Sequence, residues 1–148
     1  MFKHFIFCIC AVALSAAAKA EPTESWQIIL NNKIIFKGNS EQANPTASLK
    51  ASPFKATDKI TIKYFMDNAD NTWKRIFMVN DENETSYITI EINKQTGSVS
   101  FKASKLKELM EKKKPFFIYT VSTPKDRSLA ASVRVRRVLL CRIEWNNL

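Results

Sequence analysis

The feature that most constrains the fold is a series of short segments in which apolar and polar residues alternate. Residues 59–64 and 87–92 show it most clearly, with isoleucines at every second position. Because successive side chains of a strand point to opposite faces, alternation places one apolar face against a core. Polar turns separate further segments that are typical of strands: 26–30, 33–37, 73–79, 99–101, 115–123 and 132–145. The sequence therefore predicts a chain of the all-β class.

One short helix is predicted within this pattern, over residues 104–114. Ser104 is placed to cap its amino end, and Pro115 follows its last turn. Its apolar stripe consists of Leu106, Leu109 and Met110. About seven or eight strands, polar turns and one short helix are typical of a β-sandwich. We therefore predict an all-β sandwich, immunoglobulin-like or related, without a predicted strand order.

Residues 1–20 have the pattern of a secretion signal. A short basic start precedes an apolar run, and the small residues Ala18 and Ala20 mark a cleavage site. The apolar span covers residues 5–18, which is shorter than the roughly 20 residues a transmembrane helix requires. We predict cleavage after Ala20, a single domain over residues 21–148, and a secreted or periplasmic location with no membrane span after cleavage.

Removal of this leader changes the inventory of reactive side chains. Residues 21–148 contain no histidine and one cysteine, Cys141, and the formal net charge falls from +9 to +7. Ser-His-Asp triads, histidine-ligated metals, internal disulfides and CxxC pairs all need residues that this segment lacks. We predict a protein that is not an enzyme and that uses no metal and no cofactor. Cys141 lies on the apolar face of the last predicted strand, which predicts that it is buried.

The last predicted strand, residues 132–145, contains four of the six arginines of residues 21–148. They are Arg134, Arg136, Arg137 and Arg142. Alternation places three of them on the polar face, and a β-bulge near Arg136 and Arg137 would turn the fourth outward. Guanidinium groups match carboxylates and phosphates, so this row is the candidate anion-binding site. The competing interpretation is cross-strand pairing with Glu91 or Glu144, which is the commoner role of charges on a sheet face.

Three functions are compatible with these features. The first is a non-catalytic binding domain that recognises an anionic glycan or an acidic partner protein through the four arginines. The second is a structural or assembly component of a cell-envelope or surface complex. The third is a small hydrolase that works through two carboxylates about 5–10 Å apart. A nucleic-acid partner is not expected for an exported chain, and the sequence predicts no oligomeric state.

Overall fold

The structure of the protein is a computed structural model that describes residues 24–50 and 54–146. The predicted leader, residues 1–20, lies outside the described residues. Within them, nine strands run in chain order as follows: β1 (Glu24–Leu30), β2 (Lys33–Asn39), β3 (Thr46–Lys50), β4 (Lys59–Met66), β5 (Trp73–Asn80), β6 (Ser86–Ile92), β7 (Gly97–Lys102), β8 (Phe116–Pro124) and β9 (Arg137–Asn146). Among the described residues, no helix combines the length and the apolar character that crossing a bilayer requires.

The nine strands form two sheets, in the orders β2-β1-β4-β7 and β3-β9-β8-β5-β6. All neighbouring strands are antiparallel except β3, which runs parallel to β9. The chain crosses between the sheets five times, from β2 to β3, from β3 to β4, from β4 to β5, from β6 to β7 and from β7 to β8. The predicted all-β sandwich is confirmed.

Strand β4 shows how the alternating pattern builds the core. Ile60, Ile62 and Tyr64 are at most 1% exposed, whereas Lys59 and Lys63 face solvent. The inward faces of both sheets contribute side chains in the same way, and these interdigitate in a single cluster. Burial of apolar area, at roughly 25 cal/mol per Å², is the main contribution of this cluster to folding.

The predicted helix exists but is shorter than residues 104–114. A 3₁₀ turn, Ala103–Leu106, leads into helix α1, Lys107–Glu111. Leu106 and Leu109 are buried as the apolar stripe predicts. Ser104 is not the cap, because it lies inside the 3₁₀ turn, where its amide donates to the Ala56 carbonyl at 2.9 Å. Helix α1 ends at Glu111, and Lys113 has a left-handed φ of 47°, so Lys112, Lys113 and Lys114 follow the last turn of the helix.

A second helix, α2 (Arg127–Ser132), was not predicted. The Asp126 carboxylate caps it by accepting from the amides of Ser128 at 2.8 Å and Leu129 at 3.0 Å. The predicted strand over residues 132–145 is therefore wrong at its start. Helix α2 occupies the chain up to Ser132, residues 133–136 form a linker, and pairing with β8 begins at Arg137.

Asp58 joins the β1–β2 turn to the loop before β4. Its carboxylate accepts from the Lys55 amide at 2.7 Å and from Asn31 Nδ2 at 2.9 Å. Asn31 Oδ1 in turn accepts from the Lys59 amide at 2.9 Å. The hydrogen bond from the Lys55 amide, followed by that from Asn31, holds the pKa of Asp58 below its usual range.

Replacement of Asp58 with asparagine is expected to destabilise the protein in a pH-dependent manner. A carboxyl group whose pKa is lowered by folding stabilises the fold above its unfolded pKa, and this contribution is lost as the pH falls through the folded pKa. The Asp58→Asn variant should therefore lose about 1–2 kcal/mol near pH 7, and less in acid, where Asp58 itself is protonated. Urea unfolding of the wild type and of Asp58→Asn, from pH 7 down to acid below the ordinary carboxyl pKa of 3.8, measures the difference.

Asp67→Asn, in an exposed turn, is the matched control. A loss that is equal at both ends of the range would contradict the role of the charge.

Candidate functional site

The four arginines predicted to form one row lie in two separate groups. Arg134 and Arg136 belong to the linker of residues 133–136, whereas Arg137 and Arg142 lie in β9. The predicted single arginine strand is therefore wrong. Its β-bulge exists, but it lies further along the strand: Cys141 pairs with Ile118 and Leu139 with Tyr119, which leaves Leu140 as the extra residue. Leu140 is fully buried at this bulge. Arg137 does lie outward, but the bulge is not at its position and does not cause this orientation.

Arg137 is held by an acidic partner on the outer face of the five-stranded sheet. Its two terminal nitrogens donate to the Glu84 carboxylate at 2.5 and 3.0 Å. The guanidinium also lies over the Tyr119 ring, 4.2 Å from its centroid. The hydrogen bonds from Arg137 lower the pKa of Glu84. Arg137 is thus paired within the protein.

Arg142 is paired on the same face. Its Nε lies 2.9 Å from Glu144 Oε1, and a terminal nitrogen lies 3.9 Å from Glu82. The Phe117 ring lies 5.5 Å beneath the guanidinium carbon. Glu144 is a partner of Arg142, but it lies two residues further along the same strand, so the pairing is not cross-strand as predicted. Glu91 pairs with Lys74 instead of an arginine. Arg137 and Arg142 are therefore both paired with carboxylates on the sheet face, although the partners differ from the predicted cross-strand ones.

Arg134 and Arg136 line a cavity at one end of the sandwich, which we call the end cavity. It has a volume of about 250 Å³. The lining comes from the start of β1, the ends of β4 and β8, the starts of β5 and β9, and the linker: Glu24, Tyr64, Trp73, Arg75, Ser122, Arg134, Val135, Arg136 and Val138. Arg134 and Arg136 are exposed, and within the described residues neither has an ion-pair partner.

A third arginine, Arg75, forms the floor of the end cavity. It is 2% exposed, and its Nε donates to the Gln95 carbonyl at 2.5 Å. A terminal nitrogen donates to Thr120 Oγ1 at 3.3 Å, and the guanidinium lies 3.8 Å from the centroid of the Tyr64 ring. Desolvation lowers the pKa of Arg75, but an arginine remains charged at any physiological pH.

Glu24 is the acidic group of the end cavity. Its Oε2 accepts from the Tyr64 hydroxyl at 2.8 Å. Burial raises the pKa of Tyr64 well above its usual range, so the phenol is neutral and donates to the carboxylate. Three arginines face one carboxylate in this lining, which leaves two uncompensated positive charges. Such a field favours an anion.

A second cavity, of about 340 Å³, shares Glu24, Arg136 and Val138 with the end cavity. Its lining adds amide and hydroxyl side chains from the chain after β2, namely Asn39, Ser40, Gln42 and Asn44. Side chains of this kind offer both donors and acceptors to the hydroxyls of a polar ligand. The two cavities together form a cationic, polar depression across one end of the sandwich.

Comparison with known proteins adds no relative. The chain matches no family model, and no similar protein was found among the curated proteins or the solved structures. Its functional assignment therefore depends on the chemistry of its own residues.

Sequence reasoning missed Arg75 because residues 73–79 look like a strand buried on both faces. The available signal is its phase: Arg75, Phe77 and Val79 occupy alternate positions, and all three point into the core.

Cys141 is buried as predicted, and desolvation raises the pKa of its thiol to about 12. No group of three or more potential metal ligands occurs in the described part of the chain.

Proposed function

We propose that this protein is an exported, non-catalytic binding domain for an anionic glycan, and that an acidic sugar residue occupies the end cavity. The observation that carries this proposal is the excess of arginine there: Arg75, Arg134 and Arg136 face Glu24 alone. Hydrogen bonds between a guanidinium and a carboxylate or sulfate are roughly twice as strong as those between neutral groups.

The shape of the site favours a sugar over a flat acidic protein surface. A volume of about 250 Å³ suits one ring with its acidic group, and the half-buried Trp73 at the rim offers an apolar surface to such a ring. The adjoining polar cavity extends the site to a second residue of a polymer. Glu24 is the one carboxylate that the described residues contribute to either lining, which supports binding over hydrolysis by a carboxylate pair.

Titration with a charged and a neutral oligosaccharide tests the proposal. Trigalacturonate should bind to residues 21–148 and perturb tryptophan fluorescence through Trp73, whereas maltotriose should not. The Arg134→Gln/Arg136→Gln variant should bind trigalacturonate at least 10-fold more weakly, since each hydrogen bond to a charged group contributes about 1.5–3 kcal/mol. Added salt should weaken the wild-type interaction.

The matched control is Arg127→Gln/Lys113→Gln, which removes the same charge at exposed positions outside the site. An equal loss of affinity in the control would assign the effect to net charge and overturn the site. Equal binding of maltotriose would overturn the selection for an anion. The exported location has its own test, because the chain recovered outside the cytoplasm should begin at Glu21.

A further inference from the structure

The outer face of the four-stranded sheet carries lysines that have no acidic partner within the described part of the chain, and we call it the lysine face. It is formed by Lys37 of β2, Lys59 and Lys63 of β4, and Lys102 of β7. In β4 the alternate residues are buried in the core, so Lys59 and Lys63 project outward together. Strands β2 and β7 place their lysines on the same side through their register with β1 and β4.

The register brings like charges together on this face. Lys59 is directly opposite Lys102, and Lys37 and Lys63 flank Gln27 on either side. Like charges directly opposite each other, with Cβ atoms about 5 Å apart, destabilise a sheet. None of the four lysines forms an ion pair within the described residues. The fold thus tolerates a repulsion that an external anion would relieve.

Among the residues that the structure describes, no acidic side chain shares the lysine face. The remaining outward positions of its strands are hydroxyl, amide or apolar residues: Ser25, Gln27, Ile29, Ile34, Asn39, Thr61, Phe65, Ser98 and Ser100. At one end, Lys105 of the 3₁₀ turn joins Lys59 and Lys102 around a shallow depression of about 520 Å³, with Thr57 and Ser100 contributing hydroxyls. This set of donors suits a phosphate group.

Two large apolar side chains stand among these lysines. Phe65 is 50% exposed and Ile34 is 41% exposed, and each lies on the outward side of its strand. A sugar ring could stack on Phe65, but a soluble polyanion would gain little from the exposed aliphatic side chain of Ile34. The surface of an anionic bilayer takes up both kinds of side chain, because lysines meet the headgroups while apolar groups enter the interface.

We propose that the lysine face docks the protein on an anionic phospholipid surface, with a headgroup phosphate in the depression between Lys59, Lys102 and Lys105. The lysine face and the end cavity share no residue, so this docking does not depend on the proposed glycan binding. Lipid docking and glycan binding can therefore succeed or fail separately.

Vesicle co-sedimentation tests the proposal, with residues 21–148, which include every described strand. Vesicles of equal parts phosphatidylglycerol and phosphatidylcholine should sediment the protein at low salt, and pure phosphatidylcholine vesicles should not. The Lys59→Gln/Lys63→Gln/Lys102→Gln variant should partition about 100-fold more weakly, because each lysine near an anionic surface contributes about 1 kcal/mol. Since it removes a repulsive pair, this variant should unfold at the same or a higher urea concentration than the wild type.

The matched control is Lys94→Gln/Lys113→Gln/Lys114→Gln, which removes the same charge at exposed positions away from the face. The control should sediment with the anionic vesicles like the wild type, and Phe65→Ser should sediment less. An equal loss in both triple variants would overturn the lysine face. Binding to soluble polygalacturonate that depends on Lys59, Lys63 and Lys102, with no sedimentation on vesicles, would overturn the bilayer as the occupant.

Discussion

Replacement of Arg75 with alanine is expected to lower the free energy of unfolding by about 3–5 kcal/mol. The guanidinium is 2% exposed, and it bonds to the Gln95 carbonyl and to Thr120 Oγ1. Truncation removes these donors, opens a void next to the Tyr64 ring, and deprives Glu24 of the positive charge near it. Urea denaturation followed by tryptophan fluorescence measures the loss.

Arg75→Met separates packing from charge at the same position. Methionine fills much of the arginine volume, and replacement of a buried charge with an apolar side chain of similar size is often neutral or stabilising. We expect Arg75→Met to remain folded, to lose clearly less stability than the alanine variant, and to bind trigalacturonate more weakly than the wild type. A loss below about 1 kcal/mol for Arg75→Ala would contradict the structural role of the buried network.

The alternation of side chains made the sandwich predictable, and it could do so because burial in a strand follows a strict period of two. In β4 every second residue is buried, and the Asn31-Asn32 turn has positive φ angles of 51° and 75°, as a tight hairpin requires. The same rule failed at β9, where Leu140 is an extra residue and shifts the phase. A bulge depends on the neighbouring strand, so its position is not encoded in one segment alone.

The candidate site was only half predictable for a related reason. The sequence identifies Arg134 and Arg136 as candidate anion-binding residues, but it places them in a strand. Asp126 caps helix α2, and this cap is the signal that the chain before Arg134 is helical and that the strand begins later. Arg75 lies about sixty residues earlier in the chain, and only the packing of the two sheets brings it to the same cavity. Periodicity within a segment carries no information on such long-range contacts.

Replacement of Trp26 with alanine is expected to lower the free energy of unfolding by about 3–5 kcal/mol. The ring is 2% exposed and stacks on Tyr64, with centroids 5.9 Å apart and an interplanar angle of 3°. Gly38 provides the space for it, since a Cβ at that position would lie 2.6 Å from Trp26 Cε2. Because side chains around a large-to-small substitution in a core relax only partially, most of the cavity should persist.

Trp26→Phe isolates the hydrogen bond that connects the sheets. Trp26 Nε1 donates to the Leu140 carbonyl at 2.7 Å, at the bulge next to Cys141. Phenylalanine retains most of the packing but leaves that buried carbonyl without its donor, which should cost about 1–3 kcal/mol. If this bond fixes the bulge, its loss should also expose the neighbouring thiol of Cys141 more often.

The reactivity of the Cys141 thiol measures this exposure. In the wild type the thiol is buried and its pKa is raised to about 12, so it should react with a disulfide reagent only on unfolding. In residues 21–148, where Cys141 is the one thiol, Trp26→Phe should react faster than its loss of global stability explains. A rate that follows global unfolding alone would show that the bulge is held by packing and not by the indole.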